Sequence, residues 1–129
     1  MKKLFVSVPM KGRTEEEIRA SIIKMTKIAE AYEGEELELI DSYIDSMPPP
    51  DGYNRPIWYL GRSLEKLATA DVFIGIDDYW YWNGCATESE VARRYGIKSY
   101  KVCPEYVIDG YNELLNKVIN TTSYNAEVH

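Results

Sequence analysis

The chain has 129 residues and a mass of 14.9 kDa, which fits one domain over residues 1–129. Its 15 Lys and Arg residues against 21 Asp and Glu residues give a net charge of −6, and 45% of the residues are apolar. This acidic, globular composition argues against a nucleic acid polymer as partner, because nonspecific binding to phosphates requires a basic surface. No apolar run approaches the ~20 residues of a membrane span, so we expect no membrane association.

The cysteine and histidine content argues against a structural metal and against a disulfide framework. The chain contains only Cys85, Cys103 and His129, too few for a ligand set. Cys85 has no histidine to activate it, so we expect a small buried residue there. The N-terminal ten residues contain a proline, lack a small-x-small cleavage site and predict a strand better than a signal peptide. We therefore expect a cytoplasmic protein with no metal and no cofactor.

Strand and helix signals alternate from the N-terminus. Residues 3–9 form an apolar run that ends at proline and predicts a buried strand. Thr14 and Glu17 form a capping box at the start of a helix that ends near Gly34. The apolar face of that helix recurs at three- and four-residue steps: Ile18, Ile22, Met25, Ala29 and Tyr32. A shorter and weaker strand is predicted over residues 38–41.

The second half of the chain continues the alternation. Residues 46–55 form a loop rich in Pro and Gly, and Pro56 suits the first turn of a second helix. The predicted inner face of that helix comprises Ile57, Leu60, Leu64, Leu67 and Ala68. Residues 71–76 are the clearest central strand, and a third helix is predicted between Gly84 and Tyr95. A strand over residues 98–103 and a last helix over 111–119 follow.

This order of elements predicts an α/β fold. We expect a single-domain, doubly wound, flavodoxin- or Rossmann-like parallel sheet of four to five strands, with helices on both faces. In such sheets ligands bind beyond the carboxyl ends of the strands, near the point where the strand order reverses. The segments after Pro9, Asp41 and Ile76 should therefore surround one crevice.

The third helix carries two glutamates on different faces. At about 100° per residue, Glu88 lies on the apolar side of the helix, whereas Glu90 lines up with Arg93 and Arg94. A carboxylate against an apolar face is unfavourable unless it is hydrogen-bonded or opens into a cavity. The helix dipole favours an anion near the N-terminus, and a fixed, partly desolvated carboxylate suits a nucleophile. Alternatively, Glu88 caps the helix start, because residues 87–90 (TESE) form a possible capping box.

The turn after the first strand has the features of an anion site. Residues 7–13 (SVPMKGR) combine a glycine, two basic side chains and the free amides of a helix N-terminus. The alternative is an ordinary strand-to-helix turn with solvated Lys11 and Arg13. The candidate substrate-binding residues of this turn are Ser7, Pro9, Met10, Lys11, Gly12 and Arg13.

The segment between the central strand and the third helix holds two carboxylates and four aromatic residues, which is unusual for a loop. Aromatic rings stack on nucleobases, which is worth roughly 1–3 kcal/mol per base. Alternatively, Trp80 and Trp82 fill a subunit interface, where Trp and Tyr are also enriched. Asp77 and Asp78 are candidate catalytic carboxylates.

Together these segments resemble the nucleoside 2-deoxyribosyltransferase-like family, including its nucleotide N-glycosidase members. The resemblance runs from residue 3 to about residue 102 and is carried by FVSVPMKG, ADVFIGI and NGCATESEVARRYGI. In this family a glycine followed four residues later by glutamate starts the last core helix, and that glutamate is the nucleophile. Gly84 and Glu88 have this spacing. The resemblance therefore implies that Glu88 attacks the anomeric carbon of a (deoxy)ribose, giving N-glycosidic cleavage or transfer.

The chain departs from the family pattern in its second helix. The family commonly has an aspartate in a D-L-x-x-L-x-x-A-D stretch, whereas this chain reads SLEKLATAD, with Ser63 at that place. Serine does not readily give the proton that a departing base needs. Three alternatives follow: Asp77 or Asp78 substitutes, the substrate needs less assistance, or the chain is a non-catalytic nucleotide-binding module. Trp82 is a second departure and narrows the pocket, because a small or acidic residue is usual there.

The family also implies a substrate and an assembly. The implied substrate is a nucleoside or a nucleoside 5′-monophosphate, and the monophosphate is favoured because Lys11, Gly12 and Arg13 resemble the phosphate-contacting turn of the nucleotide-hydrolysing members. The further substrate-binding candidates are Ser63, Trp82, Asn83 and Gly84. Family members form dimers or larger assemblies whose sites borrow residues from a neighbour, so the resemblance implies a homo-oligomer.

Overall fold

The computed structural model describes residues 1–41 and 48–122. Its helices and strands in chain order are β1 (Lys3–Ser7), α1 (Glu15–Glu33), β2 (Glu38–Leu39), α2 (Arg55–Leu67), β3 (Val72–Ile76), α3 (Asn83–Arg94), β4 (Lys98–Val102) and α4 (Tyr111–Thr122). Two short 3₁₀ turns, Tyr79–Tyr81 and Pro104–Tyr106, follow β3 and β4. The first residues of the predicted loop over 46–55, and His129, lie outside the described residues. None of the described helices is long and apolar enough to cross a membrane.

The four strands form one parallel sheet in the order β2-β1-β3-β4. From β1 the chain moves outward to β2, and from β3 it moves in the opposite direction to β4, so the strand order reverses between β1 and β3. Ser7 at the end of β1 lies beside Gly75 of β3 in the register. The sheet therefore confirms the predicted α/β doubly wound fold, with four of the four to five strands expected.

The alternation of side chains along β1 and β3 separates two cores. Leu4 and Val6 point to the face that packs against α1 and α4, whereas Phe5 and Phe73 point to the face that packs against α2 and α3. The Phe5 and Phe73 rings stack with centroids 6.0 Å apart. Helices thus cover both faces, as the alternation of strands and helices predicts.

Helix α1 begins and ends where the sequence predicts. The Thr14 hydroxyl accepts from the Glu17 amide, and the Glu17 carboxylate accepts from the Thr14 amide, which completes the capping box. Gly34 ends the helix with a φ of 72°, in the left-handed region that favours glycine. The predicted apolar face is buried except for Tyr32, which is exposed and stacks on Tyr100 of β4.

The buried face of helix α2 differs from the predicted inner face. The Asn54 side chain caps it by accepting from the Ile57 amide, and Pro56 lies in its first turn. Of the predicted face only Leu67 is buried, and Ser63 is buried with it, whereas Ile57 is exposed. The cause is position: the first half of α2 borders a cavity rather than the core.

Candidate active site

A cavity of about 1330 Å³ opens at the carboxyl edge of the sheet, beside the reversal of strand order. The segment after β1, the first half of α2 and the start of α3 form its walls, and Asp41 lines it from the end of the β2 segment. Members of these walls include Val8, Met10, Lys11, Trp58, Tyr59, Ser63, Trp82, Asn83, Gly84, Cys85 and Glu88. The predicted crevice is thus present. Its volume is sufficient for a nucleotide, since ligand pockets are about 300–1,000 Å³.

Glu88 lies inside α3, lines the cavity and is only 8% exposed. Its Oε1 accepts a hydrogen bond of 2.6 Å from the Ser7 hydroxyl at the end of β1. Ser63 of α2 also hydrogen-bonds to the Glu88 carboxyl group. Since α3 begins at Asn83, the alternative in which Glu88 caps the helix start is wrong.

Gly75 allows α3 to approach the sheet at this point. A Cβ added to Gly75 would lie 3.0 Å from the Phe73 ring and 3.4 Å from the Ser89 hydroxyl oxygen. Because Ser7 is the neighbour of Gly75 in the register, the same close approach brings Glu88 to Ser7. An isolated glycine in a strand is the sequence signal that could have identified this position.

Burial controls the protonation of Glu88. Removal from water raises the pKa of its carboxyl group to about 7, while the hydroxyls of Ser7 and Ser63 oppose that rise by hydrogen-bonding to the charged form. Burial, reinforced by the charge of Glu88, also raises the pKa of the Cys85 thiol. Cys85 is buried, as predicted. Near neutral pH both forms of the Glu88 carboxyl group are populated.

Glu90 shows the contrast between the two faces of α3. Its Oε1 accepts hydrogen bonds of 2.6 Å from both Arg93 and Arg94 at the protein surface. These hydrogen bonds lower the pKa of the Glu90 carboxyl group. The helical angle thus distinguished the buried carboxylate from the solvated one.

Lys11 is the basic residue of the predicted anion site that lines the cavity. Its Nζ is buried and has no hydrogen-bond partner in the part of the chain that the structure describes. A buried ammonium is unfavourable unless it is paired. Lys11 is therefore suited to an anionic group of a ligand.

The other basic residue of this turn and its glycine have structural roles. Arg13 donates to the carbonyl oxygens of Pro9 and Glu17 and to the hydroxyl of Ser21, at 2.9, 3.0 and 2.6 Å. These bonds fasten the turn to α1. Gly12 has a φ of 80°, which glycine adopts without strain. Neither Arg13 nor Gly12 lines the cavity, so the structure does not bring the predicted phosphate contacts of these two residues to the site.

The two candidate aspartates also lie away from Glu88. Asp78 accepts a hydrogen bond of 2.5 Å from the Tyr111 hydroxyl of α4. Asp77 is exposed, and its amide donates to the carbonyl oxygen of Val102 at 3.0 Å. Neither residue lines the cavity, so their placement does not support a catalytic role.

The aromatic segment divides between solvent and cavity. Trp80 is 71% exposed, whereas Trp82 is 4% exposed, lines the cavity and packs against Tyr111. The indole Nε1 of Trp82 has no hydrogen-bond partner within residues 1–41 and 48–122. Asn83 and Gly84 continue the wall from Trp82 into α3. The subunit interface therefore stays a prediction for Trp80, whereas Trp82 is part of the cavity.

Sequence reasoning missed the aromatic wall that α2 contributes. Trp58 and Tyr59 line the cavity together with the segment after β1. The guanidinium of Arg62 lies 5.4 Å from the centre of the Trp58 ring, and that of Arg55 lies 5.7 Å from the centre of the Tyr59 ring. The signal was the pair of adjacent aromatic residues directly after the Pro- and Gly-rich loop.

Comparisons of the chain with protein-family models, curated proteins and solved structures found no match. The family resemblance therefore stays a prediction, and the chemistry of the site follows from its own geometry.

Proposed function

We propose that this protein cleaves the N-glycosidic bond of a nucleoside 5′-monophosphate, by hydrolysis or by (deoxy)ribosyl transfer, with Glu88 as the nucleophile. The observation that carries the proposal is the position of Glu88. It is a buried carboxyl group at the reversal of strand order, it lines a nucleotide-sized cavity, and Ser7 fixes its direction. The resemblance to the nucleoside 2-deoxyribosyltransferase-like family implies the same residue.

The proposed reaction has two steps at the anomeric carbon. The Glu88 carboxylate attacks that carbon, and the electron pair of the carbon–nitrogen bond leaves with the base, through an oxocarbenium-like transition state. Water or a second base then attacks the same carbon and returns the ester electron pair to Glu88. Ser7 holds Oε1 and so restricts the carboxylate to one direction, which reduces the entropy lost in reaching the transition state.

Substrate binding is assigned to the two other walls of the cavity. Lys11 pairs its buried ammonium with the 5′-phosphate. Trp82, Trp58 and Tyr59 surround the base with aromatic surface. Because Lys11 follows β1 and Trp82 precedes α3, a nucleotide bound in this way spans the edge of the sheet at Ser7 and Glu88.

A second candidate function is a nucleotide-binding module without turnover. The observation that favours it is Ser63, which contacts the Glu88 carboxyl group at the place where the family resemblance leads one to expect an aspartate. A serine there leaves the departing base without the expected proton donor.

The test is incubation of the protein with nucleoside 5′-monophosphates that span purine, pyrimidine and pyridine bases, with chromatographic detection of free base. Wild type and the matched control Glu90→Gln, altered on the solvent face of the same helix, should release base. Glu88→Gln should lose at least about a thousand-fold of that rate, as expected for a nucleophile. Folded wild-type protein that binds nucleotides in a calorimeter and cleaves none would support the binding module. Cleavage that survives Glu88→Gln would contradict the proposal.

A further inference from the structure

The cavity lacks, among the described residues, a proton donor of the kind that N-glycosidic cleavage normally uses. When a neutral nucleotide is cleaved, the base departs with an extra electron pair, and a positioned acid assists by about 10²–10⁴-fold. In the described part of the chain the group that contacts Glu88 from α2 is the hydroxyl of Ser63. Asp77 and Asp78 lie outside the cavity.

The remaining acidic groups near the cavity do not replace it, and the ammonium of Lys11 is assigned to the 5′-phosphate. The raised pKa of the Cys85 thiol means that it retains its proton. The Glu15 side chain is 58% exposed and pairs with Arg19 at 3.1 Å. Asp41 is also exposed, at the rim of the cavity. An efficient general acid is held at the leaving group, whereas these two carboxylates lie where the cavity meets water.

We propose that the substrate carries a cationic base, namely a pyridinium ring that is N-linked to ribose 5′-phosphate. This inference rests on the proposed function of Glu88. As the Glu88 oxygen bonds to the anomeric carbon, the carbon–nitrogen bond breaks and its electron pair cancels the positive charge of the ring nitrogen. The base leaves as a neutral pyridine without taking a proton. Water then attacks the anomeric carbon, the ester electron pair returns to Glu88, and one water proton goes to solvent.

The charges around Glu88 favour such a base. Its described neighbours are the hydroxyls of Ser7 and Ser63 and the thiol of Cys85, and no described Lys or Arg pairs with it. A buried carboxylate without a counter-charge is unfavourable. A pyridinium ring beside it supplies the missing positive charge, and the charge is lost as the bond breaks.

The aromatic residues that line the cavity also favour a cationic base. The rings of Trp58, Tyr59 and Trp82 line the same cavity. Aromatic faces attract a cation through the ring quadrupole, most strongly when the cation is desolvated. The Trp58 ring already has the guanidinium of Arg62 over it, and the Tyr59 ring has that of Arg55. The buried indole of Trp82 packs against other aromatic rings instead. Trp82 is therefore the ring we assign to the pyridinium.

The test compares nicotinamide mononucleotide with its 1,4-dihydro form at pH 8. The two molecules share sugar, phosphate and carboxamide, and differ in the charge of the ring. Wild type should release nicotinamide at least about 100-fold faster than it cleaves the dihydro form or adenosine 5′-monophosphate, since that is the lower bound of acid assistance. Glu88→Gln serves as the blank. Ser63→Asp, checked for folding by circular dichroism, should cleave the neutral substrates faster than wild type does. The ratio of the cleavage rates of nicotinamide mononucleotide and the neutral substrates should therefore fall.

The outcomes separate this inference from the proposed function. If wild type cleaves adenosine 5′-monophosphate as fast as nicotinamide mononucleotide, and Glu88→Gln abolishes both, the nucleophile stands and the cationic substrate is refuted. If wild type cleaves neither of these but cleaves another nucleotide of the panel in a Glu88-dependent way, the cationic substrate alone is refuted. If it cleaves no nucleotide of the panel, both proposals fail.

Discussion

Replacement of Glu88 by Gln should make the protein more stable at alkaline pH. The substitution keeps the size of the side chain and an oxygen that can accept from Ser7, but it removes a buried negative charge. A site that holds a charged nucleophile out of water sacrifices stability for function. The stability of Glu88→Gln relative to wild type therefore measures the free energy that burial of the ionised carboxylate costs the folded state.

The magnitude follows from the pKa of Glu88, which is raised from 4.5 to about 7 in the folded protein. Each pKa unit corresponds to about 1.4 kcal/mol, so ionised Glu88 destabilises the folded state by about 3 kcal/mol above pH 7. Below pH 4.5 the carboxyl group is protonated in both the folded and the unfolded state, and the penalty vanishes. The folded state binds the extra proton between these values, so stability falls as the pH rises through that window.

The assay is urea denaturation of wild type, Glu88→Gln and Glu90→Gln at pH 5 and pH 8.5. Glu88→Gln should exceed wild type by about 3 kcal/mol at pH 8.5 and by less than about 1 kcal/mol at pH 5. Glu90→Gln removes two surface ion pairs on the same helix and should show no gain in stability at alkaline pH. Equal stability of wild type and Glu88→Gln at pH 8.5 would refute the claim that the fold desolvates this carboxylate.

Three further predictions follow from the described contacts. Gly75→Ala should lower the free energy of unfolding, measured by urea denaturation, by about 1–3 kcal/mol, because its Cβ would lie 3.0 Å from the buried Phe73 ring, which must shift. Gly61→Ala, where a Cβ meets nothing within 4 Å, should not lower it. Glu33→Gln should lower the melting temperature at pH 7 but much less at pH 3. Hydrogen bonds, chiefly from Lys98, lower the pKa of the Glu33 carboxyl group to about 2. The stabilisation by ionised Glu33 is therefore present above pH 4.5 and is lost as the pH falls towards 2. The kcat/KM of the wild type should rise with pH and level off above about pH 7, because only ionised Glu88 attacks the substrate. A kcat/KM that does not change from pH 5 to pH 8 would contradict the role of Glu88 as the titrating nucleophile.

The fold could be predicted because its signals are local. The capping box at Thr14, the glycine at position 34 and the apolar run of β3 each specify an element from neighbouring residues. Helix α2 could not be read in this way. Its apolar positions indicate one face but not what covers that face. Here the first half of α2 borders a cavity, whereas Leu67 is buried in the core and Leu64 packs against it.

The site was predictable in part for the same reason. Helical angle placed Glu88 on the inner face, since the angle depends only on the sequence of α3. The hydrogen bond from Ser7 depends on the approach of α3 to β1 and β3, which Gly75 permits. The isolated glycine signals a close approach but not which side chains meet there. Asp77 and Asp78 had suitable chemistry in a suitable loop, but the sequence does not show that Asp77 is exposed or that Tyr111 of α4 binds Asp78. Arg13 is held by nearby residues instead, namely Pro9, Glu17 and Ser21.

The most direct test of the central claim is mass spectrometry of the protein after reaction with 2′-deoxy-2′-fluoroarabinosyl nicotinamide mononucleotide. The fluorine disfavours the oxocarbenium-like transition states, and the good leaving group lets the first step outrun the second, so the glycosyl ester accumulates. We predict one added 2-fluoroarabinosyl phosphate, located by peptide fragmentation on Glu88 and missing in Glu88→Gln. Release of nicotinamide with no adduct on this residue, or with an adduct on another, would contradict the account.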